Sequence, residues 1–330
     1  MNTIDYQTKI LLDSKKWEYP QSLEELGYIY FGPLIFNYFV WLKSEIRDSD
    51  KILFNSREGF FLQQIYELFK NKFYLPESVY FKTSRRLSAS FFNEKDIYDT
   101  FTLHRYSGKL SNLLKYRFGI ELNGRKDEYV NSSKKLPDLS FCVEFILEKS
   151  KKTREEYRKY ITQIIGDSKN VIMVDSGYQG TTQYNIEKAY GLKFKGRYIL
   201  YKGNLPLDDV KGFYDFYNGT LKDNIIFLES IFIDKVGTYI DIINGEFINE
   251  KLNKSQKYFE DKKEIIKGIK QFTTDMLDSD IDFESVSNEK PDYIFNLMCK
   301  KGYVKNDELF DIFVHDNYYS REYTKKINRK

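Results

Sequence analysis

Short apolar runs alternate along the chain with stretches in which apolar residues recur every three or four positions. That alternation predicts a parallel sheet covered by helices. Lys51-Ile52-Leu53-Phe54-Asn55, residues 79–82, Val171-Ile172-Met173-Val174 and residues 195–201 read as buried strands. Helices are expected over about 60–71, where Phe61, Ile65 and Leu68 share a face, over about 139–165, stopped by Gly166, and over 182–190. Residues 26–42 carry no charge, and Pro33 after Gly32 marks the first turn of a buried helix over about 33–47. Contact with a membrane interface is the alternative for that stretch. Residues 95–135 are mixed and basic, and are expected to form short helices capping the sheet. Beyond Asp223 the pattern is mostly helical, with a hairpin around 239–247 turned by Asn244-Gly245 and an amphipathic helix over 254–272. The expectation is an α/β, doubly wound, mainly parallel domain with an N-terminal helical segment over 1–245. A mainly helical extension follows over 246–330 and ends in a basic, solvated tail from Arg321.

Composition narrows the function classes. The 330 residues carry 52 Lys and Arg against 49 Asp and Glu, a net charge of +3 that does not mark a nucleic-acid binder. Cys142 and Cys299 lie far apart, which supports neither a disulfide framework nor a cysteine zinc site. With only His104 and His315, a multi-histidine metal centre is excluded and a Ser/His/Asp hydrolase has little room. The 28 Tyr and 27 Phe are chiefly packing residues. The N-terminus has no continuous apolar run before a small-residue cleavage site, so a cytoplasmic protein is expected, with peripheral contact at the inner face of the membrane.

In open α/β sheets, ligands bind at the carboxyl ends of the strands, and three such ends are polar here. The most informative is Asp175-Ser176-Gly177-Tyr178-Gln179-Gly180-Thr181-Thr182. Gly177 and Gly180 let backbone approach a ligand, and Thr181 and Thr182 offer hydroxyls beside free amides at a helix N-terminus. That is a cradle for a phosphate monoester. Asp175 is placed to contact sugar hydroxyls or a hydrated metal ion. An ordinary N-cap with turn glycines is the plainer reading. Arg57-Glu58-Gly59 and Lys82, Arg85 and Arg86 place cations at two further strand ends, where guanidinium forks and the amides opened by Gly59 suit a pyrophosphate. A surface salt-bridge network is the alternative for the arginines.

An apolar strand followed by an acid and a Gly-Thr-Thr loop resembles the ribose-phosphate signature of type I phosphoribosyltransferases, with Ser56-Arg57-Glu58-Gly59 in the place of their pyrophosphate loop. That family usually carries two adjacent acids; the second position here is Ser176. LGYIYFGPLIFNYFVWL, FNSREGFFLQQIYE, the Ser84-Arg85-Arg86 turn, VDSGYQGTTQ and LESIFIDKVGTYI are similar to a module of bacterial surface-polysaccharide clusters. Some members of it act as ribofuranosyltransferases, and it is often fused to a haloacid-dehalogenase phosphatase. The module's usual Arg-Asp-Gly is Arg57-Glu58-Gly59 here, and its common Trp is Tyr178.

The resemblance implies a type I phosphoribosyltransferase-like topology with added helices. It also implies transfer of ribofuranosyl 5-phosphate from phosphoribosyl pyrophosphate to a glycan or lipid-linked glycan. Mg²⁺ is carried by the pyrophosphate, with Asp175 as its only candidate protein ligand. Asp175 and Glu58 are the candidate bases, Tyr178 and Glu229 the candidate acceptor contacts. A separate phosphatase and other glycosyltransferases are the implied partners, with no nucleic acid. Two rivals stand beside this reading. Ile231-Phe232-Ile233-Asp234-Lys235-Val236-Gly237-Thr238 mimics the start of a haloacid-dehalogenase phosphatase, but Val236 replaces the usual second carboxylate and Asp280-Ile281-Asp282 lies in a polar stretch. A noncatalytic scaffold of a polysaccharide assembly complex is the other.

Overall fold

A computed structural model describes residues 20–177, 179–217, 221–279, 289–316 and 324–329. The chain enters through a helical turn, Leu23–Leu26, and a π-helical turn, Gly27–Phe31, into α1 (Gly32–Glu45). Pro33 sits in the first turn of α1, where its missing N–H is no loss. Leu34, Ile35, Phe36, Asn37, Tyr38, Phe39 and Val40 are all buried, so α1 is enclosed on every side up to Val40, as this uncharged stretch requires, and its charged last turn reaches the surface. Among the described residues, no helix is long and apolar enough to cross a membrane.

The centre is a five-stranded, all-parallel sheet. Its strands are β1 (Lys51–Asn55), β2 (Glu77–Phe81), β5 (Val171–Asp175), β6 (Lys195–Tyr201) and β7 (Val210–Asp215), in the spatial order β2-β1-β5-β6-β7. Helix α2 (Glu58–Phe73) joins β1 to β2, and α5 (Thr181–Tyr190) joins β5 to β6. Side chains of β1 and β5 alternate between two cores. Ile52, Phe54, Ile172 and Val174 pack with α1 and α2, while Leu53, Val171 and Met173 pack with Tyr157 and Ile161 of α4 (Val143–Ile165) and Ile186 of α5. Double coverage of this kind is what continuous apolar strands demand.

Between β2 and β5 the chain builds a satellite lobe. Helix α3 (Glu94–Leu103), the antiparallel pair β3 (Ser107–Lys109) and β4 (Tyr129–Asn131), and the start of α4 surround Phe101, Leu113, Phe118 and Ile146. This region holds a β-pair as well as the expected short helices.

After the short helix α6 (Ile225–Ile231), β8 (Tyr239–Ile243) and β9 (Glu246–Asn249) form the expected hairpin, with Asn244 and Gly245 both at positive φ. Helix α7 (Phe259–Leu277) then packs back on the N-terminal helical segment. A Cβ on Gly27 would collide with the carbonyl of Ile265, and one on Gly268 with that of Glu24, so reciprocal glycines set this close crossing. Ile265, Ile269, Phe272 and Met276 join the same core as α1 and β1, as do Phe295 of α8 (Glu289–Met298) and Phe313. The described residues beyond 246 therefore share their core with the sheet. Part of the expected tail is ordered too, since β11 (Thr324–Lys326) pairs with β10 (Val314–Asp316).

Candidate active site

The strand order reverses between β1 and β5: β1 leads outward to β2, and β5 leads outward to β6 and β7. The crevice beyond the carboxyl ends of β1 and β5 is the topological switch point of the sheet. Asn55 ends β1, Asp175 ends β5, and Asn55 Nδ2 donates a hydrogen bond of 3.0 Å to Asp175 Oδ2. Two loops more than a hundred positions apart in sequence are thus joined at their first polar residues. The neighbouring end of β2 is tied in by Ser56, whose hydroxyl donates to the Thr83 carbonyl and accepts from the Thr83 N–H at 3.1 Å.

After Ser56 the backbone turns through Arg57 at φ 73° and ψ −87°, a conformation open to glycine but strained for any other residue. The turn launches α2 at once. Gly59 is needed there because a Cβ would lie 2.6 Å from the Phe54 carbonyl carbon, so the first turn of α2 rests directly on β1. Glu58, at the start of α2, and Glu229, on α6, flank the same recess as Asp175. Burial is the main force on all three acids and raises each pKa. Glu58 and Glu229 are pushed up to about 7, and Asp175 is raised by its burial against the opposing bonds from Asn55 and the Gly177 and Ser176 amides. Each acid also repels another: Asp175 raises both Glu58 and Glu229. The Arg57 guanidinium opposes these effects on all three, and Arg85 opposes them at Glu229.

On the β5 side, the Gly177 N–H donates to Asp175 Oδ1 at 3.3 Å and Ser176 is fully enclosed. Gly180 takes the left-handed conformation, φ 71°, immediately before α5. The helix begins at Thr181, one residue before its expected start. Thr181 is buried and shares a hydrogen bond of 3.1 Å with His104 Nε2, whereas Thr182 is half-exposed. Burial drives the His104 pKa down to about 3, with Arg85 and Arg117 adding to the effect, so the imidazole is neutral at pH 7.

The cations predicted from sequence separate into two groups. Arg57 and Arg85 face the acids. Arg86 instead donates from Nη1 to the Lys115 carbonyl at 2.9 Å and lies 3.9 Å from Glu250, while the Lys82 ammonium sits 4.9 Å above the Phe247 ring of the hairpin. Tyr178 and Asp280-Ile281-Asp282 lie outside the described residues. The apolar residues before Asp234 belong to the end of α6 and the turn after it, so the strand that a haloacid-dehalogenase start requires is not formed there.

Three participants, Asn55, His104 and Tyr80, are not marked as site residues by the sequence, and Asp234 stands out there only as the acid of a phosphatase-like start. A polar residue closing an apolar strand was the available signal for Asn55; His104 comes from the satellite lobe, which no local pattern places against α5. Fold and site together define a parallel α/β protein with a cation- and carboxylate-lined recess at its switch point. Comparison of the sequence with protein-family models and with curated proteins returns no match.

Proposed function

We propose that the protein is a glycosyltransferase of type I phosphoribosyltransferase-like topology, moving ribofuranosyl 5-phosphate from phosphoribosyl pyrophosphate to a glycan or lipid-linked glycan. The observation that carries this reading is the Asn55–Asp175 junction, which sets an arginine-bearing turn beside an acid–glycine–threonine loop at the switch point. A donor with a phosphate at one end of its ribose and a pyrophosphate at the other needs two anion sites around one sugar. The amides opening α5, with Thr182, supply one; Arg57 and Arg85 supply the other.

In the reaction, the C1–oxygen bond to pyrophosphate breaks and its electron pair leaves with the pyrophosphate. The acceptor oxygen bonds to C1, and the acceptor proton passes to a carboxylate. Glu58, with its pKa near 7, is matched to receiving that proton at neutral pH, with Asp175 as the other candidate. Arg57 and Arg85 stabilise the charge that develops on the leaving group. Glu229, in electrostatic reach of Glu58 and Asp175, is the candidate contact for the acceptor hydroxyl.

Mg²⁺ binds through one or two carboxylates together with substrate phosphate oxygens. Among the described residues, no three His, Cys, Asp or Glu side chains form a metal site by themselves. Asp175, with Glu58 in electrostatic reach, suits an ion that arrives with the donor. When bound it neutralises pyrophosphate charge. A separate phosphatase would remove the 5-phosphate, and other glycosyltransferases would supply the acceptor.

The test is calorimetry with phosphoribosyl pyrophosphate and Mg²⁺, followed by assay of pyrophosphate release with and without glycan. Glycan-stimulated release, lost in Asp175→Ala, is the expected result. Donor binding without release for any acceptor would point to a scaffold, and absence of donor binding would sink the reading.

A further inference from the structure

We infer that Tyr80 and Asp234 are positioning residues whose hydrogen-bonded pair holds the Arg57 turn in its strained form and so fixes the guanidinium in the recess. The inference rests on the reading of Arg57 as a pyrophosphate ligand. A non-glycine residue at φ 73° persists only where its surroundings over-determine it. The restraint here is specific. The Arg57 amide N–H donates to the Tyr80 hydroxyl at 3.1 Å, and that hydroxyl donates in turn to Asp234 Oδ2.

Both ends of the pair are themselves fixed. Tyr80 lies on β2, hydrogen-bonded along its length to β1. Asp234 is 4% exposed; its Oδ1 accepts from the Val236 N–H at 3.4 Å, and its carbonyl accepts from Gln256 Nε2 at 3.1 Å. The Tyr80 hydroxyl keeps its proton at any working pH, because burial and the bond to Asp234 both raise its pKa. Asp234 follows α6, the helix that carries Glu229. One anchor therefore joins the segment that follows the Glu229 helix to the turn bearing Arg57.

A Tyr–Asp bond serving only the core would lower stability without singling out Arg57, so the test is coupling. Donor affinity, the KM and kcat for pyrophosphate release, and thermal melting are measured for Tyr80→Phe, Arg57→Ala and the double variant, with amide hydrogen exchange over residues 55–61. Tyr80→Phe should weaken donor binding about tenfold, the scale of one hydrogen bond to a charged group, and mainly through KM. Exchange at Arg57 should quicken. In the Arg57→Ala background, Tyr80→Phe should add no further loss. Asp234→Asn still accepts the hydroxyl and should keep intermediate affinity; it carries the measurement if Tyr80→Phe fails to fold. Wild-type affinity and exchange in Tyr80→Phe, or losses that multiply in the double variant, would overturn the inference. If the wild type binds no donor, the functional reading fails by itself. Exchange alone then decides the positioning role: quickened in Tyr80→Phe it stands, unchanged it falls.

Discussion

The two ends of the parallel sheet treat charge in opposite ways. At the amino end, Asp50 accepts from the backbone N–H groups of Lys169 and Asn170 at 2.7 and 2.8 Å, and those bonds lower its pKa. Beside it, the Lys51 ammonium donates to the Ile164 carbonyl at 2.6 Å, where α4 ends and the helix dipole favours a cation. Each charge there meets partners of the opposite polarity. At the carboxyl end, Glu58, Asp175 and Glu229 are all pushed toward neutrality, Arg57 is strained, and the enclosed Ser176 Oγ has no hydrogen-bond partner among the described residues. The same strands therefore carry a stabilising end and a frustrated one. Local conflict gathered at one edge of a consistent fold is what marks a candidate site.

The sharpest way to break this comparison is Arg57→Gly. Glycine adopts the turn freely, so stability should rise by about 1 kcal/mol. The gain should show at pH 5, where Glu58 and Glu229 are protonated and no longer need the guanidinium. Donor affinity should fall about 100-fold, the loss of a paired charge contact. A melt and a titration on one sample give both numbers.

The second test uses pH, because the two ends must respond with opposite signs. Glu58 and Glu229 titrate near 7 in the folded protein against 4.5 ordinarily. The folded state therefore holds more protons between those values, and stability falls as pH rises from about 4.5 to about 7. Glu58→Gln or Glu229→Gln should each remove about 2 kcal/mol of that fall, read as melting temperature against pH. Asp50 has a lowered pKa, so its contribution is present at neutral pH and lost as acid protonates it. Asp50→Ala should melt lower than the wild type at pH 7 and match it in strong acid, with donor binding unchanged.

The smallest effect sharpens the comparison within the carboxyl end. Arg85→Lys should lower turnover about tenfold at saturating donor, because lysine lacks the planar fork. Arg86→Lys should leave turnover alone and lower the melting temperature, since Arg86 braces the Lys115 carbonyl and Glu250.

Much of the sheet was legible because its strands are continuous apolar runs: 51–55, 171–175 and 195–201 lie where the pattern put them. β7 escaped notice because Lys211 and Gly212 interrupt its apolar character, as an edge strand tolerates. In the site, the loops after β1 and β5 were legible from glycines, acids and arginines at strand ends. The division between Arg85 and Arg86 was not, because adjacent residues on one helical turn point in different directions and only the β8–β9 hairpin and the 114–118 turn decide what each meets. Asp234 shows the opposite failure: an apolar run before an acid imitates a strand end, and in the fold the run is the last residue of a helix and the bend after it.

The reciprocal glycines at 27 and 268 also bear on how the chain comes to be folded. The apolar segment that leads into α1 meets α2 and β1 on one side and α7 on the other, so its second side must wait while everything up to α7 is synthesised. At ~5–20 residues per second, that interval is on the order of tens of seconds. Throughout it, Phe31 and the side of Phe36 that meets Phe272 lack their partners, contacts of very high sequence separation and slow closure. Substituting either glycine should therefore appear first as a loss of soluble yield during expression, before any change in the activity of the molecules that do fold.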